Sequence, residues 1–169
     1  MNPMQNIRIE KVTLNIGAGK DQKVLERGIK LIKNITGTAG VTTFTNKRIP
    51  TWGIRPGLPI GTKLTIRKGK VKELLTRLLA ANGNKLRMVQ FNDGGNVSFG
   101  IKEYIDIPGV EYDPDIGVMG LEVSVTLEKP GFRIKRRHIL RRKIPKKQQI
   151  KKEDAMSYMK KEFAVEVEQ

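Results

Sequence analysis

The side chains that could perform acid–base or metal chemistry in this chain are few and isolated. There is no cysteine, and the single histidine, His138, stands between Arg137 and Ile139 with no acid, serine or second histidine close by. A catalytic or zinc site needs several such groups that converge on one point. Asp113 and Asp115 could chelate a magnesium ion, but a solvated acidic loop, or one that faces a basic protein, is the favoured interpretation.

Two glycine patterns raise the question of nucleotide binding. Gly17 and Gly19 end a predicted strand and precede a predicted helix, but the third glycine of a dinucleotide-binding turn would fall on Gln22. Gly69 and Lys70 lack the upstream glycine and the following hydroxyl residue of a phosphate loop. Both patterns are typical of ordinary turns. The sequence therefore predicts no catalytic residue, no metal, no cofactor and no enzymatic activity.

The stretch from Lys47 to Arg67 combines positive charge, turn residues and the only tryptophan of the chain, Trp52. Its first half, Lys47 to Pro59, holds three prolines and two glycines, which excludes a regular helix or a central strand. Connections between paired strands usually need only about 2–5 residues, so this loop is long for a plain connector. Charged and proline neighbours favour an exposed Trp52 that could stack on a base.

Two segments alternate as strands with one apolar and one polar face. Ile60 to Arg67 is one of them, and Lys11 to Ile16 is the other; Ile7 and Ile9 have the opposite parity, which predicts either a bulge or a late start of the strand. The polar face collects Lys11, Thr13, Asn15, Lys63, Thr65 and Arg67. None of these is aromatic, so base stacking on the sheet is not expected. Such side chains suit phosphate oxygens and 2′-hydroxyls, and therefore the backbone and shape of a folded RNA.

The remaining periodicity predicts an α+β fold. Helices are expected over Asp21–Thr36, Lys70–Asn82 and 152–163, further strands over Val41–Thr45 and Val118–Leu127, and Asn96–Ile107 is ambiguous. Strands with one apolar face between amphipathic helices indicate a mostly antiparallel sheet with helices packed on one face and a long basic loop between two strands. We expect a single domain over 1–169. Residues 129–152 have no clean period and are predicted to form an extended arm or a long hairpin.

Charge is strongly segregated along the chain, whose net charge is +16. Residues 46–76 carry eight basic and one acidic side chain, 129–152 carry twelve and none, and 92–128 carry one and eight. This pattern favours a polyanion-binding surface over a merely solvated basic surface. No apolar run approaches the roughly 18 residues of a membrane span, so we expect a cytoplasmic protein.

Five motifs resemble one known family. They are Ile9–Gly17, Ile35–Gly37, Gly53–Gly61, Lys63–Arg67 and Phe99–Ile105. In order and spacing, from about residue 7 to 128, they are similar to the ribosomal protein L5 family, the 5S-rRNA-binding proteins of the large subunit. The chain lacks the longer N-terminal helical segment of bacterial members, and its basic block is unlike theirs, so it resembles the archaeal type.

The resemblance implies a structural constituent of the large ribosomal subunit that helps attach 5S rRNA in the central protuberance. Family positions that hold 5S rRNA fall on Lys11, Asn15 and Thr65, and a fourth, commonly glutamine, is Thr38 here. Together with the alternation, this gives a 5S rRNA site of Lys11, Thr13, Asn15, Thr38, Lys63, Thr65 and Arg67.

Other partners are implied by the same resemblance. The family's long loop reaches peptidyl-site tRNA, which assigns that contact to Lys47, Arg48, Trp52, Gly53, Ile54, Arg55, Pro56 and Gly57. Contacts with other ribosomal RNA are expected from Arg133, Lys135, Arg136, Arg137, Arg141, Arg142 and Lys143. Members also touch neighbouring large-subunit proteins of the 5S particle and, across an intersubunit bridge, small-subunit head protein thirteen.

Two other classes of protein remain open from the residues alone. A free-standing RNA chaperone or architectural protein would bind many nucleic acids alike. An RNA-processing enzyme would depend on His138 or on the acidic segment, and no constellation of groups supports it.

Overall fold

The computed structural model describes residues 2–168, which contain a five-stranded sheet and a smaller two-stranded one. The strands are β1 (Arg8–Gly17), β2 (Val41–Phe44), β3 (Pro59–Ile66), β4 (Lys85–Arg87), β5 (Val97–Ile101), β6 (Leu121–Glu128) and β7 (Glu166–Glu168). The large sheet has the order β2-β3-β1-β6-β5, and each neighbouring pair is antiparallel. The predicted mostly antiparallel α+β fold is therefore confirmed.

Four helices accompany the sheet: α1 (Gln22–Thr36), α2 (Val71–Ala81), α3 (Arg133–Arg136) and α4 (Lys152–Phe163). The Asp21 carboxylate caps α1 by accepting a hydrogen bond from the Lys23 N–H at 2.9 Å. Gly37 ends this helix with φ 73°, a left-handed conformation that costs glycine little. Among the described residues, no helix is both long enough and apolar enough to cross a membrane.

Helices α1 and α2 pack on one face of the large sheet, against β1 and β3. The apolar stripe that helical spacing gives α2 is buried as a whole: Val71, Leu74, Leu75, Leu78 and Leu79. On α1, Leu25 is buried, whereas Val24 is only half-buried. Gly28 allows the close approach of α1, because a Cβ there would lie 3.2 Å from Ile16 Cγ2. The opposite side, called here the open face, carries the polar side chains of the strands.

Strand β1 is the centre of the sheet and pairs with both β3 and β6. Its register against β6 shifts between Ile9 and Lys11, so the predicted bulge is confirmed. Beyond the bulge, Val12 and Leu14 are fully buried. Because side chains alternate along a strand, Lys11, Thr13 and Asn15 lie on the open face.

Two predictions of local structure are wrong, and the segment left ambiguous is resolved. Strand β6 begins at Leu121 rather than Val118; just before it, Gly120 passes close to the main chain that follows β5, where a Cβ would lie 2.7 Å from the Lys102 carbonyl oxygen. The ambiguous 96–107 segment divides into β5 and a single helical turn at Tyr104–Asp106. The basic arm (residues 129–152) is neither extended nor a hairpin, since α3 and turns fold it back over one end of the sheet. The parallel pair β4–β7 was not foreseen.

Candidate nucleic-acid interface

A line of four hydroxyl groups crosses the open face. Thr13 lies opposite Thr65 on β3 and opposite Ser124 on β6, and Ser124 lies opposite Ser98 on β5. The Oγ atoms of Ser98 and Ser124 are 3.1 Å apart, and the Oγ1 atoms of Thr13 and Thr65 are 3.5 Å apart. This hydroxyl row can both donate and accept hydrogen bonds, which suits the 2′-hydroxyls and phosphate oxygens of an RNA strand.

A second line runs beside the hydroxyl row and contains Glu122, Asn15 and Lys63. The Asn15 side-chain amide donates a hydrogen bond to Glu122 Oε2 at 3.1 Å. Its carbonyl oxygen is therefore directed away from Glu122 and is available as an acceptor, while the exposed Lys63 supplies a positive charge. An acceptor of this kind can bind a 2′-hydroxyl or a base amino group but not a phosphate oxygen, which carries no proton.

Six of the seven predicted 5S rRNA residues lie on or next to this face. Lys11, Thr13, Asn15 and Thr65 are half-buried, and Lys63 and Arg67 are exposed. Thr38 stands apart in the exposed connection between α1 and β2. There its N–H donates to Thr36 Oγ1 at 3.3 Å, and its carbonyl accepts from the same hydroxyl at 3.2 Å.

Sequence reasoning missed Ser98, Ser124 and Glu122 as members of this face. The alternation of β6 indicates that Glu122 and Ser124 point away from the core, but it does not tell which strand lies beside β1. Ser98 belongs to the segment whose secondary structure was ambiguous. The strand order supplied by the structure joins all three to Thr13 and Asn15.

The long loop between β2 and β3 is an ordered hairpin. At its base the Gly57 N–H donates to the Thr45 carbonyl at 2.8 Å. Near its tip, Ile49 and Ile54 exchange two main-chain hydrogen bonds of 3.0 and 3.1 Å. Trp52 lies between these two residues at the tip of the loop, and its exposed fraction is 67%, which confirms the predicted exposure. The loop therefore presents a large aromatic side chain on a rigid support.

The other loop residues divide by burial. Lys47, Arg48, Gly53, Arg55, Pro56 and Gly57 are exposed, whereas Ile54 is only 7% exposed. The side chain of Ile54 is thus part of the loop's own packing, and this residue could meet a partner only through its main chain. Gly53 and Gly57 adopt left-handed φ values of 66° and 82°, which explains the glycines at both positions.

Thr45, at the base of this loop, buries a hydroxyl for which the described residues provide no hydrogen-bond partner. Thr45→Val keeps the shape and removes the desolvated oxygen. We expect the variant to be more stable by about 0.5–2 kcal/mol, since an unsatisfied buried hydroxyl carries a penalty of that order. Urea denaturation measures the difference. A loss of stability would show that the hydroxyl has a partner.

The basic arm is fastened to the sheet by Arg136. Its Nη1 lies 2.7 Å from Glu10 Oε1, and its Nη2 lies 2.7 Å from Glu128 Oε2. Glu128 also binds Arg8, whose Nη2 is 2.7 Å from Oε1. Glu128 continues the outward alternation of β6, yet it is only 4% exposed because the arm covers this end of the open face.

This arrangement separates the predicted arm contacts into two groups. Arg136 is engaged by two carboxylates within the protein, and Arg137 Nε donates to the Leu140 carbonyl at 2.9 Å. The remaining predicted contacts are exposed and form no ion pair within residues 2–168: Arg133, Lys135, Arg141, Arg142 and Lys143.

Two aspartates of the acidic segment (residues 92–128) form ion pairs with one lysine of α1. Lys30 Nζ lies 3.0 Å from Asp113 Oδ2 and 2.8 Å from Asp115 Oδ2. The hydrogen bond from Lys30 holds the pKa of Asp113 below its usual value, and the bond to Asp115 raises the pKa of Lys30. Its ammonium group therefore bridges the two carboxylates that were considered as magnesium ligands. Residues 2–168 contain no cluster of three metal-binding side chains.

The main-chain N–H groups of the glycine turn after β1 have hydrogen-bond partners within the protein. The N–H groups of Ala18 and Gly19 both donate to the Ile60 carbonyl, at 2.8 and 3.1 Å. These amides therefore support the β1–β3 connection and do not point at a phosphate.

Comparison with known proteins gives one consistent result. A family model described as ribosomal protein L5 matches residues 2–55, and a second model, described as the C-terminus of the same ribosomal family, matches residues 59–158. The chain is 43% identical over 168 residues to the large ribosomal subunit protein uL5 of Sulfurisphaera tokodaii, covering 99% of this chain and 95% of that protein.

Two further relatives agree. The uL5 protein of Methanosphaera stadtmanae is 45% identical over 168 residues, covering 99% of this chain and 100% of that protein. That of Nanoarchaeum equitans is 45% identical over 167 residues, covering 98% of each. Both family models and all three relatives are ribosomal proteins, and the chain is therefore a ribosomal protein. It belongs to the ribosomal protein L5 family, and the similarity to archaeal members confirms the predicted type.

Proposed function

We propose that this chain, by its family a structural constituent of the large ribosomal subunit, binds 5S rRNA with its open face and helps attach that RNA in the central protuberance. The observation that carries the proposal is the hydroxyl row, whose members are exposed or half-buried and which lies beside Asn15 and Lys63. Such a face recognises RNA by shape and 2′-hydroxyls, while the net charge of +16 supplies affinity through counterion release.

The test is equilibrium binding of the purified protein to 5S rRNA and to an unrelated folded RNA of equal length, across a salt titration. A preference for 5S rRNA that persists as salt rises supports the proposal, because phosphate contacts weaken with salt whereas hydroxyl contacts depend on it less. Equal binding to both RNAs that disappears together with rising salt would instead favour a free-standing RNA chaperone.

Asn15→Ala tests the open face at one residue. It removes the acceptor that Glu122 orients, and we expect a loss of roughly 1–1.5 kcal/mol of 5S rRNA affinity, the scale of one hydrogen bond. The matched control is Asn34→Ala, an exposed asparagine on α1, the helix that covers the opposite face. An Asn15 variant that is folded and binds 5S rRNA as tightly as the control would remove Asn15 from the site.

The proposal extends to the Trp52 loop, which we infer contacts peptidyl-site tRNA in the cytoplasmic ribosome. The exposed Trp52 and Arg55 on an ordered hairpin support this. Arg55→Gln is expected to leave the affinity for 5S rRNA within about twofold, because the loop lies outside the sheet face, and to reduce chemical protection of the tRNA elbow in ribosomes that carry the variant. Loss of 5S rRNA binding would refute this division.

The part of the acidic segment (residues 92–128) that lies between β5 and β6, and therefore off the open face, is the proposed surface for small-subunit head protein thirteen. Glu103, Asp106, Glu111 and Asp115 are exposed there, which suits a basic protein partner. The exposed cations Arg133, Lys135, Arg141, Arg142 and Lys143 of the basic arm are proposed to contact large-subunit rRNA. Neighbouring proteins of the 5S particle are the remaining proposed partners.

A further inference from the structure

A cleft of about 1030 Å³ separates the basic arm from the end of the open face that carries Lys11 and Arg67. The arm forms its second wall. Two elements of distant sequence therefore enclose one space, and neither wall would form it alone. We call this space the arm–sheet cleft.

The arm–sheet cleft concentrates uncompensated positive charge. The basic residues that line it and form no ion pair within residues 2–168 are Lys11, Arg67, Lys135, Arg141, Arg142 and Lys143. The acid that lines it, Glu10, is occupied by Arg136 at 2.7 Å. Cations gathered around a concave space repel one another and attract a polyanion.

The inner surface of the cleft is partly apolar. Phe132 is half-buried there, and Ile144 and Ile150 line the same space. A cleft with cations at its walls and an aromatic ring inside suits both parts of an unpaired nucleotide, since phosphates bind the cations while bases stack on aromatic rings or guanidinium planes.

The size of the cleft points the same way. Its volume lies just above the range of roughly 300–1,000 Å³ that is usual for pockets enclosing a small ligand. A double helix is instead recognised along an extended surface that spans successive grooves. A short single-stranded segment is therefore the better fit.

The cleft is held in shape before any RNA binds. At one end of the arm, Arg136 joins Glu10 and Glu128. At the other end, Ile150 is 1% exposed and packs so closely on Gly95 that a Cβ there would lie 2.5 Å from Ile150 Cγ2. A preformed site loses less entropy on binding than a flexible tail does.

We propose that the arm–sheet cleft binds a short unpaired segment of RNA, at a site separate from the hydroxyl row. The inference rests on the proposed function only in taking the chain to bind RNA. It assigns Lys11 and Arg67 to the same site as Arg141 and Arg142, although sequence analysis placed the two pairs with different RNAs.

The test uses the full chain and a fluorescent oligouridylate of about eight nucleotides, within the usual range of single-strand sites of roughly 4–16 nucleotides. An RNA duplex with the same number of phosphates is the second probe. Arg141→Gln/Arg142→Gln removes two cations that line the cleft. The matched control, Lys146→Gln/Lys147→Gln, removes two exposed cations of the same arm that do not line it.

We expect the Arg141/Arg142 variant to bind the oligouridylate about tenfold more weakly and with a reduced salt slope, and the control to change by no more than about threefold. Equal losses in the two variants, or an equal loss of oligouridylate and duplex binding in the Arg141/Arg142 variant, would overturn the inference. Preference for 5S rRNA is measured separately, on the parent protein. Absence of that preference would refute the proposed function, whereas a selective loss of oligouridylate binding in the Arg141/Arg142 variant would still support the cleft site.

Discussion

Gly61→Ala is expected to destabilise the protein by about 1–3 kcal/mol, the usual range for overpacking a tight interior. Gly61 lies on β3 opposite Gly17, where the two central strands approach closely. A Cβ at this position would lie 2.6 Å from the Ile16 carbonyl oxygen. Because that oxygen belongs to the main chain, it cannot rotate away, and the β1–β3 pairing must open to admit the methyl group.

Gly100→Ala is the matched control for Gly61→Ala. Gly100 is also a strand glycine without a left-handed φ, but a Cβ there would meet no atom within 4 Å. Its variant should lie within about 0.5 kcal/mol of the parent protein, or be slightly more stable, because alanine has fewer unfolded conformations than glycine. Urea denaturation compares the two. Equal stabilities would mean that β1 and β3 are not as close as described.

Glu128→Gln is expected to cost about 1–3 kcal/mol, the scale of hydrogen bonds to charged groups. The carboxylate is 4% exposed and binds both Arg8 and Arg136. A fully buried pair that loses one partner costs about 3–5 kcal/mol, but the two arginine side chains are 62% and 46% exposed. Water can therefore solvate them after the change, which lowers the expected cost.

The Glu128 prediction has a second measurement, because the same carboxylate holds the arm against the sheet. Trypsin should cleave the arm of Glu128→Gln faster than that of the parent protein, since local opening exposes its lysines and arginines. Glu122→Gln, an exposed glutamate of the same strand, should change neither stability by more than about 0.5 kcal/mol nor the cleavage rate. Unchanged cleavage in Glu128→Gln would show that other contacts hold the arm.

The parts of the fold that were predictable are those in which local pattern and tertiary burial agree. The stripe of α2 is buried as its period requires, and the bulge of β1 falls where Ile7 and Ile9 break the alternation. The alternation of apolar and polar residues along β1 and β3 was likewise enough to predict that Lys11, Thr13, Asn15 and Thr65 lie on the open face.

The features that were missed depend on partners distant in sequence. Arg136 contacts Glu10, which is 126 residues away in the sequence, and no periodic pattern in the arm indicates that contact. The β4–β7 pair is three residues long on each side, too short for a pattern. Ile54 lies in a loop rich in proline and glycine, where spacing does not tell which side chain turns inward. Ser98 and Ser124 join the site through strand order alone.

The central position of β1 has a consequence for how the chain is made. Leu14 pairs with Leu64 on one side and with Val123 on the other. During synthesis at roughly 5–20 residues per second, the second partner follows the first strand after on the order of 5–20 s. Throughout that interval one edge of β1 has unpaired amide groups and can join a foreign strand. Sheet closure in the nascent chain must therefore wait until β6 has been made, and until then β1, the central strand of the folded protein, is an edge strand.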